Sequence, residues 1–182
     1  MPVTLTDQPV VNPTFLITEV ESDETNATLA IEPLEQGYGH TVGNSLRRVM
    51  LSSLPGAAIK TVRIEGVDHQ FTTLEGMSED IVEFILNLKQ LKVKATGNEE
   101  EATMHLDVEG EAEVTAADIE GAAGFEIVNP DQHLASLAKG KSLRAEIVVG
   151  TGTGYSMAQD RKSNVIGEIP VDALYSPITK VS

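Results

Sequence analysis

Two glycine clusters, Gly37-Tyr38-Gly39 and Gly150-Thr151-Gly152-Thr153-Gly154, are the places where backbone amides could cradle a phosphate. A dinucleotide-binding turn needs glycines at relative positions 1, 3 and 6 between a strand and a helix. The sixth position is Val42 after Gly37 and Gly39, Tyr155 after Gly150 and Gly152, and Met157 after Gly152 and Gly154. Neither cluster fits, and no Gly-x4-Gly-Lys-Ser/Thr string supplies the alternative nest for a nucleotide's phosphates. The histidines His40, His69, His105 and His133 stand singly, without the second His four residues on that a helical zinc site requires. No Gly-x-Ser-x-Gly elbow surrounds a serine. Asp68 and His69 look like an orienting pair, but neighbours in a strand point to opposite faces. The reading at this level is a chain with no catalytic, cofactor-binding or metal-binding residues.

The charges carry more information. Lys and Arg number 13 against 28 for Asp and Glu, a formal charge of −15, which repels duplex DNA. Direct DNA binding by this portion is therefore not expected. There is no cysteine, so a disulfide framework or a thiolate nucleophile is excluded, which fits a reducing cytosol. The start MPVTLTDQPV has neither a basic nor an apolar leader region, and no apolar run approaches the roughly 20 residues that a membrane helix needs. A cytoplasmic protein without a membrane segment is expected, and Asn26-Ala27-Thr28 is then a chance match to the glycosylation pattern. Aromatics are scarce at 4% and Trp is absent, so base-stacking platforms and deep aromatic pockets are poorly supplied. Composition leans towards protein binding or structure.

The elements that would position these residues can be read from periodicity. TFLITEVES (14–22) and NATLAIEPL (26–34) alternate with period 2 and predict an antiparallel pair. Within 37–56, Val42, Leu46, Val49 and Met50 follow helical spacing; Thr41 suits the cap, Leu54-Pro55-Gly56 the end, and about three turns are expected. IKTVRIEGVDHQF (59–71) reads as a strand pair or one long bent strand. In LEGMSEDIVEFILNLKQLKVK (74–94), Ser78 suits the cap, Glu79 and Asp80 favour the positive end of the dipole, and Ile81, Ile85 and Leu88 form a buried stripe before LKVK leaves as a strand. From about 95 to 170 short strands alternate with Gly, Asn, Pro and Asp, with NEEEA (98–102) as a solvated hairpin tip and 150–164 as a mobile loop. Strands outnumber helices without βαβ alternation, so the fold class is α+β.

Arg47 and Arg48 lie side by side on the 37–56 helix of an acidic chain, near Gly43, Asn44 and Ser45. A solvated surface helix accounts for this. So does a helix held against partners, since Gly43 costs about 1 kcal/mol relative to Ala and Arg suits desolvated pairing. The string GYGHTVGNSLRRVMLSSLPGAA resembles the first dimerisation helix of the bacterial RNA polymerase alpha-subunit family. LEGMSEDIVEFILNLKQL resembles that family's next helix, VTAADI and FEIVNPDQHLASL its insert domain, and IGEIPVDALYSP the return to the first domain, together touching most of residues 30 to 177.

The resemblance implies a discontinuous dimerisation domain (1–55 and 167–182) interrupted by a β-rich insert domain (56–166). It implies a non-catalytic scaffold within a nucleotidyltransferase complex, an alpha homodimer on which the beta and beta-prime subunits assemble. Arg48 and Leu51 match positions implicated in beta binding, and Lys89 and Val171 positions linked to the large subunits. Tyr38, Val42, Leu46 and Val49 are the candidates for the face meeting the other alpha copy. Where the family commonly has Gly-Arg-Gly-Tyr, this chain has Gly152-Thr153-Gly154-Tyr155, one cation fewer. The family also continues past the position of Ser182 with a second dimerisation helix and a DNA-contacting C-terminal domain, so weak dimerisation is expected of this piece. Two other classes stay open: an enzyme placing a small substrate beside the glycines, and an independent protein-interaction module.

Overall fold

The computed structural model describes residues 15–23, 25–161 and 165–182. The fold is α+β, as its periodicities predict, and it divides into two units whose boundary falls between Leu46 and Arg47.

In the first unit, strands β1 (Leu16–Ser22) and β2 (Ala27–Glu32) pair antiparallel. Their turn is held by Asp23, whose Oδ1 accepts from the backbone amides of Thr25 and Asn26 at 2.8 and 2.7 Å, an Asx turn that satisfies donors the ladder leaves over. Helix α1 (Tyr38–Ser52) starts three residues before Thr41. The left-handed Gly37, with φ of 91°, and the Tyr38 amide bonded to the Glu35 carbonyl set that start. Thr41 is thus inside the helix, and its carbonyl accepts from Ser45 Oγ. The fifteen residues make about four turns, one more than the periodicity suggests.

The second unit is built on an antiparallel sheet whose central strand is β3 (Pro55–Ile64). Pro55 and Gly56, which read as terminators, open this strand; a proline in first position removes no interior ladder donor. The strand stops at Ile64, and 65–71 turn away rather than extend it. Helix α2 (Ile81–Lys89) is capped by Asp80, not Ser78: Asp80 Oδ1 accepts from the Glu83 amide at 2.7 Å, while the Ser78 amide donates to the Ser136 carbonyl. Its stripe of Ile81, Ile85 and Leu88 is buried as expected, and Phe84 joins it fully buried.

The remaining strands are β4 (Val93–Ala95), β5 (Glu101–Glu109), β6 (Ala112–Thr115), β7 (Ile119–Glu120), β8 (Phe125–Ile127), β9 (His133–Leu137), β10 (Ser142–Thr153), β11 (Tyr155–Ser156), β12 (Glu168–Pro170) and β13 (Ala173–Leu174). Sheet order is β7-β5-β10-β3-β4-β8, with β12 also on β3, and β6-β9 and β11-β13 form separate pairs. Residues 98–102 are not a hairpin tip. Residues 98–100 lie between β4 and β5, which β3 and β10 separate in the sheet; Glu101 and Ala102 open β5, and Glu101 ion-pairs with Lys60 on β3. Alternation on β5 and β10 sends Met104, Leu106, Leu143, Ala145, Ile147 and Val149 into one core with the α2 stripe. Each large side chain fully buried there contributes about 1.5–3 kcal/mol.

Residues 150–161 are not a mobile loop. Gly150, Gly152 and Thr153 finish β10, β11 follows, and Ala158–Arg161 form a short 3-10 turn; 162–164 lie outside the described residues. Gly152 pairs with Gly56 across β10 and β3, and the buried Tyr175 lies against both. A Cβ on Gly152 would meet the Tyr175 ring at 2.8 to 2.9 Å, and one on Gly56 would collide with the Tyr175 carbonyl oxygen. These glycines make room for a tyrosine.

Candidate functional site

Helix α1 buries none of its residues within the chain. Tyr38 is 57% and Val49 50% exposed, and Val42 and Leu46 are half-buried. At about 100° per residue these four share one side of the helix. Arg48 is exposed and Leu51 half-buried, on other sides. The guanidinium groups of Arg47 and Arg48 make no ion pair or hydrogen bond among the described residues. Gly43 is open, with nothing within 4 Å of an added Cβ, so this chain's own packing does not require its small size. At the C-terminal end, Ser52 Oγ donates to the Arg48 carbonyl at 2.7 Å, and a Cβ on Gly154 would approach the Ser52 carbonyl to 3.2 Å. The turn carrying Arg48 and Leu51 thus adjoins the start of β11.

Lys89 and Val171 are brought together from distant parts of the sequence. Lys89, in the last turn of α2, pairs with Asp172, the neighbour of Val171. Asp172 also accepts from the Ala158 amide at 2.8 Å. That backbone bond, and then Lys89, hold its carboxyl below the ordinary aspartate range. Partial desolvation, and then its bond to Asp172, push the Tyr155 phenol up. Val171 itself is only 2% exposed, so it shapes this surface from beneath rather than by offering its side chain. Its amide donates to the Lys60 carbonyl at 2.9 Å, and its own carbonyl accepts from Arg161.

Arg161 is the strut of this region. Its fork donates to Ser156 Oγ at 2.9 Å, the Lys60 carbonyl at 2.8 Å, and the carbonyls of Ser156 and Val171. It ties the 3-10 turn to β11, to β3 and to the segment after β12. Sequence reasoning missed Arg161, Asp172 and Tyr155. The available signal was one arginine closing a glycine-rich stretch of a cation-poor chain. No ion pair or hydrogen bond joins Arg48 or Leu51 to Lys89 or Val171 among the described residues. No group of three or more His, Asp or Glu is placed to hold a metal ion among the described residues, and no described helix is long and apolar enough to cross a membrane.

Residues 62–176 match the family model described as the RNA polymerase Rpb3/RpoA insert domain. The chain is 46% identical over 170 residues, 91% of its own length, to a DNA-directed RNA polymerase subunit alpha from Leuconostoc mesenteroides. It is also 46% identical over 172 residues, 93% of its length, to a protein of the same name from Alkaliphilus metalliredigens. In both cases the match covers 54% of the relative, so the chain spans about half the length of the curated relatives it matches. With an antiparallel core, the LRR helix and the ordered downstream strings all in place, the chain belongs to the RNA polymerase alpha-subunit family.

Proposed function

We propose that this chain acts as non-catalytic scaffold of DNA-directed RNA polymerase in the cytoplasm, pairing with a second alpha copy and nucleating assembly of the beta and beta-prime chains. The observation that carries this reading is the unburied face of α1. A fifteen-residue helix with no buried residue is near the limit at which helices persist alone in water, so Tyr38, Val42, Leu46 and Val49 call for a covering surface. A second copy supplies it. Arg48 and Leu51, on other sides of α1, serve beta; Lys89, supported from below by Val171, serves a large subunit. In this reading 1–55 and 167–182 belong to the dimerisation domain and 56–166 to the insert; the match of 62–176 to the insert-domain model supports an insert over most of that span. Chemistry and promoter contact then belong to other parts of the assembled enzyme.

Co-purification tests the reading. Arg48→Ala removes an exposed cation that the fold does not use, so the variant keeps its unfolding midpoint and loses capture of beta. Undiminished capture by a folded variant sinks the assignment of Arg48.

A further inference from the structure

His133, at the start of β9, stands between two carboxylates that belong to different elements. Its Nε2 lies 3.0 Å from Oε1 of Glu79, in the segment before α2, and its Nδ1 lies 3.3 Å from Oε1 of Glu113 on β6. The two contacts differ in kind. The Glu79 side chain is 12% exposed and also accepts from the Ser136 amide at 2.7 Å and from Ser136 Oγ at 3.2 Å. Burial would raise this carboxyl, but Ser136 and His133 hold it below the ordinary glutamate range, so it is an anion at neutral pH and Nε2 carries the proton that meets it. Nδ1, by contrast, is buried and makes no hydrogen bond among the described residues, although the exposed Glu113 carboxylate faces it. A buried ring nitrogen left without a bond calls for an explanation.

We propose that His133 is a proton-operated clamp that ties the β6–β9 pair to the segment before α2. With one ring proton the imidazole serves Glu79 alone, and the bare Nδ1 lone pair faces an anion. With two, the ring presents an N–H to each carboxylate and bridges them. Glu113 can turn out into water when the bridge is open, so the fold persists in both states and only the attachment tightens or slackens. No other charged side chain ion-pairs with the ring among the described residues. Asp118, near it through the ladder partner Thr115, is engaged by the Thr115 amide and hydroxyl, and Asp80 by the Glu83 amide. The one side chain that α2 extends to this strand by a hydrogen bond is the neutral Asn87, bonded to the Leu134 carbonyl. Imidazoles ordinarily titrate at about 6.5, where Glu79 stays ionised, so the ring proton is the variable part of the clamp near neutrality.

Nitrogen NMR of the ring and amide exchange on this chain test the proposal. At about pH 8 the ring should carry its proton on Nε2 alone, and at about pH 5.5 on both nitrogens. A proton on Nδ1 alone at the higher pH overturns the clamp. Ser136 reports the attachment, because its amide donates to Glu79 and it faces Glu113 across the ladder. Its exchange protection, corrected for the intrinsic rate, should rise about threefold from the higher pH to the lower. In Glu113→Gln the side-chain amide can donate to the bare Nδ1, so the rise should vanish. His133→Gln keeps a donor for Glu79 without a titrating ring and should lose the rise as well. No rise in the unsubstituted chain, or a rise that persists in either variant, overturns the proposal.

Discussion

Lys89 Nζ lies 3.0 Å from Asp172 Oδ2, joining the last turn of α2 to a carboxylate 83 residues further along the chain. Both side chains are one-third exposed, and pairs of that kind contribute only about 0–1 kcal/mol to folding. In the proposed docking role, the pair matters for what it presents rather than for what it stabilises. Asp172→Asn should shift the urea midpoint by less than about 1 kcal/mol equivalent yet weaken capture of the large chains several-fold. A stability loss that accounts for the whole binding loss would make the pair merely structural.

Arg161 reverses that balance. It serves three backbone carbonyls and one hydroxyl from a half-buried position, and removing it leaves acceptors unpaired. Arg161→Ala should cost about 1–3 kcal/mol in urea unfolding. Arg161→Lys should recover only part of this, because an ammonium cannot reproduce the planar fork. Full rescue by lysine would show that charge alone matters.

The glycine pair around Tyr175 predicts a steric ladder. Gly152→Ala presses a methyl on the aromatic ring and should cost about 1–3 kcal/mol. Gly56→Ala meets a backbone carbonyl, which cannot rotate away, and should cost more. Calorimetric midpoints falling in the order wild type, Gly152→Ala, Gly56→Ala are expected; equal effects would refute the explanation.

A carboxylate ahead of α2 sets an acid limit. Burial would raise the Glu79 carboxyl, but the hydrogen bonds from Ser136 and from His133, at 3.0 Å, outweigh it and leave the group below its ordinary value. A depressed carboxyl contributes stability that is present above its unfolded value, about 4.3, and is lost as pH falls through the folded value. Unfolding followed from pH 6 to 3 should therefore show a loss confined to the region below about 4.3, and Glu79→Gln should flatten it while lowering stability at pH 6.

The face of α1 should report on pairing. Val49→Asp places a charge on a half-exposed residue, so secondary structure by circular dichroism should persist while sedimentation shifts towards monomer. An unchanged sedimentation profile in a chain that otherwise dimerises would move the self-pairing surface elsewhere.

Periodicity disclosed the first hairpin, both helices and the buried stripe of α2, because alternation and 3.6-residue spacing are local signals. It failed where a distant partner decides the outcome. Thr41 and Ser78 have the chemistry of caps, but Gly37 and Asp80 hold the geometry that starts each helix. Residues 150–154 have no apolar rhythm because their partner is Tyr175, more than twenty positions away. NEEEA looked like a turn between neighbours, and only the sheet order reveals two strands inserted between them. For the candidate site, the local string on α1 was legible, whereas Arg161 and Asp172 depend on tertiary contacts that no spacing encodes.

The position of β3 affects how the chain can be made. It leaves the ribosome directly after α1, yet its neighbour β10 pairs Thr153 with Pro55 across roughly a hundred residues of chain. At about 5–20 residues per second, synthesis leaves that strand without its principal partner for roughly 5–20 seconds. During this interval the nascent chain exposes a ten-residue strand whose ladder groups lack that partner, so the window for misassociation or chaperone capture opens before the sheet can close.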